Sequence, residues 1–212
     1  MNTLELFDSH VEDYEAWYDN YPAVYESEIN ALREHFQKLP ENIRGIEVGL
    51  GTGRFAKPLG IKEGAEPSQA MAAVATKRGI QVVDGVAENL PYGDLQFDFV
   101  LFVTICHFNN VKSAIEQAYR VLKHGGSLII GFLDKDQAIA QQYIAKKQRS
   151  VFYRKARFYR TAHVVKMLED VGFKNLEFNQ TLFDDLEKIG SPQIPKSGYG
   201  KGSFVVVKTT KR

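Results

Sequence analysis

The stretch Gly45-Ile46-Glu47-Val48-Gly49-Leu50-Gly51-Thr52-Gly53-Arg54-Phe55 decides how the rest of the chain is read. Apolar residues between Ile43 and Val48 suit a short buried strand, and the run ends on three glycines at alternate positions. Glycines there let the backbone turn sharply and approach a ligand with no Cβ in the way. A second acid, Glu66, follows Gly53 by thirteen positions, at the end of the next expected strand. A carboxylate so placed can accept the protons of both ribose hydroxyls, so loop and acid together point to an adenosine-containing ligand. Spacing narrows the choice. The dinucleotide fingerprint G-x-G-x-x-G/A is met at Gly49 and Gly51 but fails at Arg54, and no G-x-x-x-x-G-K-[ST] occurs.

Downstream the chain alternates. Ser68–Arg78 carries a Ser N-cap signal, good helix formers, a basic end and Gly79 as a stop. Gln81–Val83 reads as a short strand. Phe97–Val103 is a near-continuous apolar run, as expected of a strand covered on both faces. Val111–Lys123 places apolar residues at 111, 114, 115, 118, 121 and 122, a helical stripe, ahead of Gly125-Gly126. Ser127–Leu133, Leu176–Phe178 and Phe204–Val207 read as further strands, and Ala162–Val171 as a helix closed by Gly172. This order indicates an α/β fold with a mostly parallel sheet and helices on both faces. The first 40 residues and residues 136–160 fall outside the alternation and look helical. Additions of that kind can cover the carboxyl ends of the strands, where open α/β sheets bind ligands.

With 212 residues, 44% hydrophobic and 25% charged, the chain is long enough for one domain with a full core. Its 27 basic and 26 acidic side chains leave a net charge of +1, which excludes a strongly basic nucleic-acid binder on global charge. That balance hides two segments. Residues 1–40 hold nine acidic and two basic side chains, and residues 141–163 hold seven basic and no acidic ones, from Lys146 to Arg160. One reading is two solvated helix faces that pair loosely with each other; the sharper one is a basic surface beside an anionic substrate. The lone Cys106 excludes an intrachain disulfide framework and a cysteine-based zinc site. The start MNTLELFDSHVEDYE is acidic and lacks a long apolar run, unlike a secretory signal, and no stretch is long enough to span a bilayer. A cytoplasmic protein with no membrane partner is expected.

Over nearly its whole length the chain resembles the class I S-adenosylmethionine-dependent methyltransferases, most closely the branch similar to the ubiquinone/menaquinone biosynthesis enzymes. Residues Gly45–Phe55 are similar to the family's first motif, and Gly64-Ala65-Glu66-Pro67-Ser68 with Met71 to its second. Gly85-Val86-Ala87-Glu88-Asn89-Leu90-Pro91 and Phe97-Asp98-Phe99-Val100 are similar to its third and fourth. Tyr119–Gly126 resembles the segment before its fifth strand. The resemblance implies a Rossmann-like, doubly wound, seven-stranded sheet, mostly parallel with one antiparallel strand. One domain over 1–212 is expected: an N-terminal helical cap (1–40), a cofactor-binding core (41–135), a helical insertion (136–160) and a C-terminal helix and strands (161–212).

The same resemblance implies roles. Gly49, Gly51 and Gly53 would pass close to the methionine part of S-adenosylmethionine, and Glu47 would fix the loop and meet the amino group. Glu66 would hold the ribose hydroxyls, with Pro67 and Met71 flanking the adenine. Ala87 and Glu88 would meet the adenine edge, and Thr104 and Ile105 would line the far side near the methionine chain. Val86 departs from the family's usual aspartate and puts that adenine contact in doubt. His107 sits where the family commonly places an active-site residue. Tyr14, Trp17 and Tyr18 resemble its aromatic cap, with Tyr18 a candidate catalytic group beside His107. Arg154 and Tyr159 could face the acceptor.

The expected reaction is in-line transfer of a methyl group to a small-molecule acceptor, leaving S-adenosylhomocysteine. Orientation of the reactants is the main task, with a general base needed only for a protonated acceptor. No histidine pair at metal spacing occurs among the five histidines, so no metal is expected. The absence of [DNS]-P-P-[YFW] speaks against base amino groups of nucleic acids. Rival readings are a binding protein without turnover, an RNA or polyanion methyltransferase led by the basic stretch, and a dehydrogenase, since Tyr143-x-x-x-Lys147 resembles the catalytic pair of short-chain dehydrogenases. Against the last, Gly45 precedes its strand rather than following one.

Overall fold

The computed structural model describes residues 3–212; residues 1 and 2 of the expected cap lie outside them. Eight strands form one sheet in the order β3-β2-β1-β4-β5-β8-β6-β7. They are β1 (Gly45–Val48), β2 (Glu63–Ala65), β3 (Gln81–Val83), β4 (Phe97–Val103), β5 (Leu122–Leu133), β6 (Lys174–Thr181), β7 (Lys196–Ser197) and β8 (Phe204–Thr210). Strands β1 to β5 pair in parallel. β8 inserts between β5 and β6, antiparallel to both. The expected count of seven is exceeded by β7, a two-residue exposed strand antiparallel to β6 that carries no hydrophobic pattern.

Local signals account for much of this. Ser68 caps helix α4 (Gln69–Lys77), its hydroxyl accepting from the Met71 N–H. Asn110 does the same for α5 (Val111–Val121), whose apolar stripe is fully buried. Helix α7 (Thr161–Val171) stops at Gly172 with φ 109°. Alternate residues of β4 divide between two cores: Val100 and Phe102 pack with α5 and α7 on one face, Phe99, Leu101 and Val103 with the N-terminal helices on the other. The crossover from β1 to β2 is made of turns rather than a helix.

The chain departs from β1 in one direction to β2 and β3 and later in the other to β4 and β5. β1 and β4 therefore flank the switch point where such sheets bind ligands. Helices α1 (Thr3–Ser9), α2 (Val11–Asn20) and α3 (Pro22–Phe36), with α6 (Ala138–Ala145) and two 3-10 turns at 147–149 and 153–155, gather over those strand ends. Gly53 shows how closely the loop packs. Its φ is +78°, and a Cβ there would stand 2.3 Å from Ile80 Cδ1. Gly53→Ala is expected to cost about 2 kcal/mol in chemical denaturation through backbone strain and overpacking; a midpoint unchanged from wild type would contradict this packing.

Candidate functional site

The loop after β1 spends its first two N–H groups, of Gly49 and Leu50, on the Ala65 carbonyl at the end of β2. The next free donor, Gly51 N–H, goes to Glu66 Oε2 at 2.8 Å, and Ser68 N–H goes to Glu66 Oε1 at 2.9 Å. Each oxygen of this buried carboxylate thus accepts one backbone bond and keeps a lone pair for a pair of hydroxyls. Burial raises its pKa, and the two N–H groups pull it back only in part. Glu47 is more extreme. It is 1% exposed, and its Oε2 is buried with no hydrogen-bond partner. Desolvation pushes its pKa well above the usual carboxylate range, with Ala56 N–H opposing. A buried oxygen left so is costly unless a ligand satisfies it, and a cationic amino group would.

Both acids open into one cavity of about 240 Å³ along the carboxyl ends of the strands. One end, over β2 and β3, is lined by Glu66, Pro67, Ser68, Met71 and the turn Val86-Ala87-Glu88. The middle, over β1 and β4, holds Glu47, Gly49, Gly51 and Thr104. The other end, over β5 and β8, holds Glu28, Leu133, Ile139, Tyr143, Tyr153 and Phe204. Thr104 and Leu182, both on the cavity, are non-glycine residues with φ of 61° and 62°, and strained backbone of this kind concentrates at ligand sites.

Most of the expected residues therefore converge. Tyr14, Trp17 and Tyr18 form the roof, with Tyr18 Oη donating to Tyr14 Oη at 2.9 Å. A Cβ on Gly51 would lie 3.1 Å from Tyr14 Oη, so the roof rests on the glycine loop. Four expected residues are not brought to the cavity. Gly53 packs toward Ile80, because its Cβ direction faces α4 rather than the ligand. Ile105 and Tyr159 line a separate small cleft beside Cys106, since Ile105 turns into the core after Thr104. Arg154 is exposed to solvent. Glu88 reaches the cavity, yet its Oε1 accepts from the Asn110 N–H at the start of α5. Asp84 is exposed and does not replace the contact missing at Val86.

His107 lies in the wall, 5.1 Å from the Phe7 ring and 5.8 Å from Tyr153. Desolvation lowers its pKa to about 4, so it is neutral at pH 7 and a weak proton acceptor. That argues against its expected role as base. Tyr18 is no better placed, since burial pushes its hydroxyl well above 10. Cys106 is buried, its thiol pushed up to about 12. Lys147 donates to the Ala156 carbonyl at 2.7 Å, which leaves Tyr143-x-x-x-Lys147 without a catalytic lysine.

The acidic segment finds basic partners outside residues 141–163. Glu15 on α2 binds Arg54 of the loop at 2.6 Å and Arg78 at 3.0 Å, and Arg54 also meets Asp19 at 3.1 Å. These guanidinium groups overcome partial burial and hold the Glu15 pKa near 2. Asp8 on α1 accepts from Ser68 Oγ at 2.6 Å and Ala70 N–H at 3.2 Å, at the start of α4. The acidic cap is thus tied to the ligand-binding half. On the basic side, Arg160 pairs with Asp136 and Lys146 with Glu187, while Arg149, Arg154 and Arg157 are exposed. Glu15→Gln is expected to lower stability by about 1 kcal/mol above pH 5, an amount limited by solvent screening. The difference should vanish as the pH falls toward 2, because a depressed acid stabilises only while ionised. Equal melting at pH 7 would show the clamp to be inert.

Sequence reasoning missed Glu28. It stands in the stripe Val24, Glu28, Ala31, Leu32 and His35 along the buried side of α3, a position where an aliphatic residue is the norm. An acid inside that stripe was the available signal. It is 7% exposed, and desolvation alone raises its pKa to about 8.

Known proteins share this architecture. The family model described as a methyltransferase domain matches residues 46–130. The crystal structure of an S-adenosylmethionine-dependent methyltransferase from Thermotoga maritima, described there as a possible histamine N-methyltransferase, is 42% identical. It covers 100% of both chains with a TM-score of 0.94. An uncharacterised protein of Methanocaldococcus jannaschii is 44% identical over 209 residues, 98% of this chain and 100% of that one. The ubiquinone/menaquinone biosynthesis C-methyltransferase of Sinorhizobium fredii is 31% identical over 106 residues, 42% of this chain and 41% of its own length.

Proposed function

The chain belongs to the S-adenosylmethionine-dependent methyltransferases, and on that premise we propose that it methylates a small molecule held in the cavity beneath α1, α2 and α3. The observation that carries this reading is the buried, unpartnered Glu47 Oε2 opening into the same cavity as the Glu66 carboxylate. The residues fit the donor. Glu47 would take its amino group, Glu66 its ribose hydroxyls through the two open lone pairs, and Pro67, Met71 and Ala87 the adenine faces and edge. Gly49 and Gly51 give the backbone room at the methionine chain. When bound, the sulfonium supplies an electrophilic methyl carbon. The protein's part is then to orient the acceptor and exclude water, which Tyr14, Trp17, Tyr18, Phe7 and Phe152 do as the roof.

Arg154 and its exposed basic neighbours lie off the cavity, which favours a small acceptor over RNA or another polyanion. Among the described residues no helix is long and apolar enough to cross a membrane. The single free thiol suits a reducing compartment and supports a cytoplasmic setting. The test is ligand-dependent melting. At a hundredfold excess over Kd, S-adenosylmethionine should add about 2.7 kcal/mol, or roughly 5–10 °C in a domain of this length, while NADH should add nothing. Stabilisation by NADH alone would reverse the reading.

A further inference from the structure

We propose that Glu28 and the aromatic walls beside it form the site for the basic nitrogen of the methyl acceptor, so that the protein is an N-methyltransferase of a compact amine. This rests on the donor reading above, which uses Glu47 and Glu66 and leaves Glu28 without a task. Among the described residues lining the cavity none is lysine or arginine, and His107 is neutral there. Three buried carboxyls face a space that offers no positive charge. Two are matched by the donor's amino and hydroxyl groups; the third calls for a cation from the acceptor.

The surroundings of Glu28 are those of a cation site. Among the described residues its side chain makes no hydrogen bond or ion pair. Burial is the one cause of its raised pKa, and its charge in turn raises the hydroxyls of Tyr18 on α2, Tyr25 on α3, Tyr143 on α6 and Tyr153 in the 153–155 turn, with no cation among these neighbours. Tyr143 and Tyr153 stack with centroids 4.1 Å apart, and Trp17 meets Tyr18 edge-to-face at 5.0 Å. Ring faces of this kind attract ammonium groups, the more so when desolvated. Tyr143 Oη is buried with no hydrogen bond of good geometry, a second polar atom at this end of the cavity waiting for a ligand. Val24, Ile139, Leu182 and Phe204 close the end with apolar surface, which keeps the acceptor small.

The proton has somewhere to go. An entering ammonium first drives the Glu28 proton to solvent and pairs with the carboxylate; it then passes one of its own protons to that carboxylate and becomes an amine with a free lone pair. That pair forms the new N–C bond as the S–C bond breaks, its electrons staying on sulfur as a neutral thioether. The product leaves as a methylated ammonium, and Glu28 keeps the proton until the next ammonium binds and drives it to solvent. Burial has raised the proton affinity of Glu28 toward that of an amine, whereas His107 has moved the other way.

The experiment is calorimetry on protein loaded with S-adenosylhomocysteine, using primary amines from ethylamine to tryptamine, each against the alcohol of the same skeleton. At pH 7 at least one amine should bind tenfold or more tightly than its alcohol, with release of close to one proton as Glu28 ionises, read from the dependence on buffer ionisation enthalpy. Glu28→Gln should abolish both the preference and the release, with the S-adenosylhomocysteine affinity within twofold of wild type. No amine preference across the panel, or a preference that survives Glu28→Gln, overturns the amine site alone. A wild-type preference without proton release overturns it too, even where the variant cannot be purified. Failure of S-adenosylhomocysteine to bind wild-type protein overturns the donor reading beneath it.

Discussion

Glu47→Gln is expected to weaken S-adenosylmethionine roughly a hundredfold while raising the melting temperature of the empty protein. Both effects come from one oxygen. In the empty protein Glu47 Oε2 is buried without a partner, so burial favours the protonated form of the group and costs stability. In the complex an ammonium would meet it, and a charge-assisted bond inside the protein contributes about 3 kcal/mol that glutamine cannot replace. Binding should therefore release protons from the wild-type protein, as the ammonium draws Glu47 toward its ionised form. The glutamine variant should release none. Calorimetry in buffers of different ionisation enthalpy reads both numbers at once. Equal affinity for the two proteins would mean that the amino group is held elsewhere.

The second large effect is on stability against pH. Glu28 titrates near 8 when folded against an ordinary value of 4.5. Its folded form therefore keeps a proton that the unfolded chain has already lost. Stability from this group is greatest below pH 4.5, falls as pH rises, and levels off above about 8. At pH 7 the penalty is about 3 kcal/mol, worth roughly 6–12 °C in a domain of this length. Glu28→Gln should remove that slope, so the two melting curves coincide at pH 4 and separate steadily toward pH 8. Parallel curves would show that Glu28 is solvated. The acid clamp at Glu15 acts in the opposite sense and at lower pH, which keeps the two contributions apart. A buried acid retained at this cost is the usual mark of a working site.

The glycine loop, Glu66 and the order of strands were legible because each is a local pattern. Phe97–Val103 and Gln81–Val83 are strands over the span that their apolar runs suggest, and Ser68 caps its helix through its own hydroxyl. β7 was not legible, since two exposed residues, Lys196 and Ser197, form it only because β6 offers an edge. Nor were the partners of the acidic segment. Counting charges set residues 1–40 against residues 141–163, but Arg54 and Arg78 lie nearer in space and take Glu15. The same limit applies to His107 and Glu28. Side-chain type suggests a histidine base and a solvated glutamate; desolvation inverts both.

By itself the sequence determined the α/β alternation, the family resemblance and the acids Glu47 and Glu66, because backbone preference and short-range spacing are written residue by residue. Only the tertiary structure decided that Glu28 shares their cavity and that Gly53, Ile105, Arg154 and Tyr159 do not. It also decided which acids are buried without a partner. Desolvation depends on what surrounds a group, and those surroundings come from helices and strands far away along the chain.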